Sequence, residues 1–115
     1  MKKYAESHEY VIVEGNVGIV GISANAAEEL GDITFVELPE VGTQVKKGSV
    51  ACSVESVKSA GDIYSPVTGK IIEVNENLED APERINEDAE GQGWIYKVEL
   101  ADTSELDSLS NTDEM

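Results

Sequence analysis

Between residues 10 and 22 the chain reads YVIVEGNVGIVGI, two β-branched apolar runs on either side of Gly15-Asn16. This pattern predicts a hairpin, with Tyr10 to Glu14 as one strand and Val17 to Ile22 as its return. The period then changes. SANAAEELG at 23–31 favours helix: Asn25 with Glu28 three residues on fits a capping box, and Gly31 fits a stop. Leu30 would turn inward with Ala26 or Ala27, and the helix has two turns at most.

From Asp32 the chain returns to strands and carries a faint repeat. Pro39 and Gly42 in ELPEVGTQVKKG recur as Pro66 and Gly69 in SPVTGKIIEVN, each 27 positions later. An apolar run precedes each Pro-x-x-Gly turn, Ile33-Thr34-Phe35-Val36 in one half and Ile63-Tyr64 in the other. Two such halves joined through 50–62 predict a small pseudo-symmetric sandwich or flattened barrel. A hairpin tip in the joining segment would carry Lys58 outward, away from both halves. Residues 76–93 are acidic and read mostly as loop, with Pro82 opening a short helix that contains Ile85. Trp94 to Leu100 is the last predicted strand, with Trp94, Tyr96 and Val98 on one face. Asp102 caps a short helix over 104–109 that carries Leu106 and Leu109, and residues 110–115 are expected to fray.

The length of 115 residues suits a single domain with its own core. Eight basic residues against 24 acidic ones leave a net charge of −16, which disfavours nucleic acid and anionic membranes and suits partners with basic faces. No apolar run is long enough to span a bilayer, and Met1-Lys2-Lys3 leads into polar sequence. Cys52, alone in the chain, forms no internal disulfide and is expected to be a buried thiol. A cytoplasmic setting fits these features.

One histidine and one cysteine cannot build a His/Cys zinc site, and the acidic runs around Glu79 and Glu87 lack the spacing of a calcium loop. His8-Glu9 places a base beside an acid, but neighbours in a strand face opposite ways. SPVTGKI lacks the glycines and terminal hydroxyl of a phosphate loop. Lys58 remains. A lysine at an exposed tip is ordinarily charged and a poor nucleophile. It fits better as an attachment point, from which an amide would extend a long arm on a rigid mount.

FVELPEVG at 35–42 and VESVKSAGDIYSPVTGKIIEVNENLED at 54–80, with SHEYV at 7–11 and GQGW at 91–94, closely resemble the glycine cleavage system H-protein family. The resemblance spans nearly the whole chain. It implies a single lipoyl-carrier domain over 1–115, all-β with small flanking helices, of the lipoyl/biotinyl-type barrel-sandwich hybrid class. It also implies lipoate in amide linkage on Lys58, with Glu55 read by the lipoylating enzyme. Ser7, Glu9 and Asp62 match positions lining the cleft that shelters the loaded arm. The implied partners are glycine decarboxylase (the P protein), aminomethyltransferase (the T protein) and dihydrolipoyl dehydrogenase (the L protein). Such a protein is a non-catalytic carrier that moves the aminomethyl group of glycine among them.

Tyr10 stands where that family usually has tryptophan, Cys52 replaces a small residue, and the chain stops at SNTDEM without the usual longer tail. Biotin carriers centre on M-K-M and the tethered lipoyl domains on D-K-A, whereas here Val57 and Ser59 flank Lys58. An H-like lipoyl donor, relaying lipoate to other carrier proteins, would use the same modified lysine and stays open at this stage.

Overall fold

The computed structural model describes residues 1–113. In chain order the elements are β1 (Lys2–Tyr4), β2 (Glu9–Glu14), β3 (Val17–Ile22), α1 (Ala24–Leu30), β4 (Ile33–Glu37), β5 (Gln44–Val45), β6 (Val50–Ser56), β7 (Ala60–Tyr64), β8 (Gly69–Val74), α2 (Asn77–Asp80), α3 (Arg84–Asp88) and β9 (Tyr96–Leu100), followed by a 3-10 helix over Thr103–Ser108. They form a six-stranded sheet, β1-β2-β3-β9-β8-β5, and a three-stranded sheet, β4-β6-β7. Val11, Val20, Ile71 and Val98 from the first share one core with Val54 and Ile63 from the second. Burying each such side chain contributes about 1.5–3 kcal/mol. This is the two-sheet, mostly β architecture that the alternating runs predict.

The β2–β3 hairpin forms where expected. Gly15 takes φ 64° at the first central position of the turn, the pattern of a II′ turn. The helix arrives two residues earlier than the capping box suggests. Ser23 is the N-cap, its hydroxyl accepting from the Ala26 N–H at 3.0 Å, while Asn25 turns toward Asp113. Ser23 wins because its extended backbone places Oγ over the first turn, where it meets an otherwise unpaired donor. Gly31 ends the helix at φ 78°, as predicted.

The repeat is real at the level of strands, since β4 shifted by 27 positions coincides with β7. Its two glycines do different work. Gly42 occupies a left-handed turn at φ 96°, with open space around a side chain's place. Gly69 begins β8 rather than completing a turn, and a Cβ there would collide with the Glu99 carbonyl of β9. Segment 76–93 holds one helical turn more than expected, α2, which buries Leu78, and α3 buries Ile85. β1 was not foreseen.

The last strand starts at Tyr96, two residues late, and Trp94 lies half-buried beneath the Lys97 ammonium, 5.0 Å from its ring centre. Asp102 caps the 3-10 helix through the Ser104 N–H at 2.9 Å. Residues expected to fray are tied down as far as they are described. Ser110 bridges to Tyr4, and Asp113 Oδ1 lies 2.7 Å from His8 Nδ1. Residues 114 and 115 lie outside the described residues.

Candidate functional site

Lys58 sits in the turn between β6 and β7, and the turn is braced from within. No residue of it has positive φ, so the I′ and II′ turns that match strand twist are excluded. Ser56 supplies the missing closure. Its backbone N–H donates to Ser59 O at 2.7 Å, while its hydroxyl accepts from the Lys58 N–H at 3.2 Å and the Ser59 N–H at 3.1 Å. The Val57 N–H also donates to Asp32 O at 3.0 Å, which fastens the tip to the segment after α1. The ES before Val57-Lys58 carries this brace. A serine two positions before the tip residue is a signal for it, because hydroxyls of this kind cap turns.

Lys58 is exposed at the tip, and its stem has one neighbour that the sequence reading did not include. The stem leans over Gly31 at the end of α1, where a Cβ would stand 3.2 Å from Lys58 Cε. Asn25, Glu28 and Glu29 of α1 line a groove with Lys58. An amide-linked arm fits this mount, since the side chain is open to solvent and its backbone is held independently of it. The arm would begin in the groove rather than in free solution.

Ser7 and Glu9 are brought together. His8 takes φ 72°, uncommon for a side chain other than glycine, and this reversal lets Ser7 fold back onto its neighbour's neighbour. The Ser7 hydroxyl donates to Glu9 Oε1, and the Tyr64 backbone N–H donates to Glu9 Oε2 at 3.2 Å. Glu9 is therefore a buried carboxylate, 2% exposed, reaching from β2 to the end of β7. Burial pushes its carboxyl up from the ordinary range, and the bonds from Ser7 and Tyr64 only partly oppose this. Asp62 lies exposed on β7, two residues before Tyr64, and has no hydrogen bond to Ser7 or Glu9. Glu55 is exposed on β6, cross-strand from Phe35 and Ala60.

Tyr10, on the opposite face of β2 from Glu9, is wholly buried and donates to Ala89 O at 2.8 Å. Its ring fits because its cross-strand partner Gly21 has no side chain. Asn25 and the two glutamates of the groove were not singled out as site residues. Only tertiary packing sets α1 beside the tip. Among the described residues no group of three potential ligands is placed to hold a metal, and no helix is long and apolar enough to cross a membrane.

Comparison with known proteins agrees with this geometry. The chain matches the family described as Glycine cleavage H-protein over residues 2–115. The glycine cleavage system H protein of Thermotoga maritima is 55% identical over 109 residues, covering 95% of this chain and 88% of that one. That of Coprothermobacter proteolyticus is 53% identical over 113 residues, covering 97% and 89%. The crystal structure of a glycine cleavage system H protein from Mycobacterium marinum superposes with a TM-score of 0.82 at 40% identity, over 87% of this chain and 84% of that one. With its two-sheet fold and its braced lysine turn, the chain belongs to the glycine cleavage H-protein family.

Proposed function

We propose that this protein is a lipoyl carrier of glycine cleavage, a single domain with lipoate in amide linkage on Lys58. It moves the aminomethyl group of glycine between glycine decarboxylase, aminomethyltransferase and dihydrolipoyl dehydrogenase, in the cytoplasm. The observation that carries this reading is the Lys58 turn, exposed at the side chain and held at the backbone by Ser56 and Asp32.

Bound lipoate supplies the sulfur chemistry, and the chain itself catalyses nothing. Ser56 fixes the direction in which the arm leaves. Gly31 gives the lysine stem room to lie along α1. Ser7, Glu9 and Asp62 are proposed to hold the amine of the loaded arm. A carboxylate in a sheltered place makes a stronger charge-assisted hydrogen bond than one in water, and shelter slows hydrolysis. Glu9 is already sheltered and oriented, whereas Asp62 would have to meet the arm from the exposed side of β7.

Protein made in lipoate-competent cells should show one lipoyl addition by intact-mass analysis, and Lys58→Arg should show none. An adduct mapped to a different lysine would overturn the assignment.

A further inference from the structure

Strict alternation from buried Ile33 would send Phe35 into the core. It does not go there. Ile33 pairs with Ser56 and Phe35 with Glu55, so Thr34 is an extra residue, a β-bulge. The Thr34 hydroxyl donates to Glu55 O at 3.2 Å across the bulge. The phase inverts, Val36 takes the core position at 3% exposure, and Phe35, the chain's lone phenylalanine, is left 51% exposed. Cross-strand partners share a face, so Phe35 stands beside Glu55 on the outer side of β4-β6-β7. Glu37 and Asp62 occupy the next row of that face, across Ser53. Val57 stands exposed at the tip beyond.

We infer that this face docks the enzyme that forms the amide on Lys58, with Phe35 as its apolar anchor in a pocket ringed by basic side chains. The inference rests on the carrier reading above and adds the anchor to it. Reach singles out this partner. An enzyme working at the far end of the arm meets it an arm's length from the turn, whereas one acting on Nζ must enclose the turn itself. That enzyme transfers lipoyl from an activated donor, an acyl adenylate or thioester. The Nζ–carbonyl bond forms, the donor's bond to its leaving group breaks, and the ammonium gives up two protons. The three carboxylates around Phe35 supply the complementary charge, and a central aromatic is a common centre of binding energy.

The test measures initial lipoylation rates of the unmodified full chain against its concentration, using a lipoate ligase with lipoate and ATP. Phe35→Ala should raise the half-saturating concentration about tenfold, with the maximal rate within about twofold, as for loss of one interface anchor. Phe35→Leu should recover part of that loss. Val41→Ala, an exposed apolar residue in the turn that Gly42 fastens to Ile71 of the larger sheet, should match wild type. Saturation of both Phe35 variants at the wild-type concentration would overturn the anchor while leaving the carrier reading intact. A wild-type chain that takes no lipoyl on Lys58 would overturn the carrier reading, and the anchor with it.

Discussion

Glu9 and Tyr64 join the two sheets through one hydrogen bond of 3.2 Å, from a backbone N–H of the smaller sheet's last strand to a carboxylate of the larger sheet. The carboxylate is 2% exposed, and its protonated form is favoured by burial. The folded chain therefore holds this proton to a higher pH than the unfolded chain does. By linkage, Glu9 makes the fold less stable as pH rises from the ordinary value of 4.5 toward its raised value. Relative to Glu9→Gln, wild type should lose stability across this window, measured by urea unfolding between pH 4.5 and pH 7. A constant difference would show that Glu9 titrates as in the unfolded chain.

Glu9→Ala removes the acceptor of both Ser7 and Tyr64. It should cost about 1–3 kcal/mol, since the Tyr64 N–H is then left inside without a partner. Glu9→Gln keeps an acceptor and should cost less. On protein already lipoylated and loaded with aminomethyl, Glu9→Gln and Asp62→Asn should both shorten the lifetime of the load. Equal lifetimes in all three proteins would remove both acids from the site.

Lys58→Arg should shift unfolding free energy by less than about 0.5 kcal/mol, the range of exposed substitutions. The turn is held by Ser56 and Asp32 through backbone groups that arginine retains. A loss of several kcal/mol in chemical denaturation would make Lys58 structural.

Burial pushes the Cys52 thiol up to about 12, with Glu9 and Glu37 adding to the effect. Native protein at pH 8 should react with a thiol reagent at least about a hundredfold more slowly than protein unfolded in urea, because the thiolate is the reactive form. Comparable rates would place Cys52 at the surface.

The paired glycines of the repeat should separate under substitution. Gly69→Ala drives a methyl into the Glu99 carbonyl and should cost about 3 kcal/mol. Gly42→Ala meets open space and pays only for its left-handed backbone, about 1 kcal/mol. Equilibrium unfolding of both would contradict this account if their order were reversed.

Residues near one another in the chain carried what could be read directly. The β2–β3 hairpin follows from two apolar runs around Gly15-Asn16, and the stop of α1 from Gly31. Each depends on neighbours within a few positions, where periodicity and turn chemistry act. Contacts between distant segments decided the rest. Glu9 meets Tyr64 across 55 positions, and its burial depends on how two sheets close. Phe35 is turned outward by a bulge at Thr34 that only pairing with β6 creates. The capping pattern points to Asn25, but backbone geometry makes Ser23 the cap and Asn25 turns to Asp113. Gly69 shares its spacing with Gly42, yet the nearness of β9 gives it a different reason to be glycine. Local pattern determines which way a short segment prefers to run; only the packed chain determines what that segment then touches.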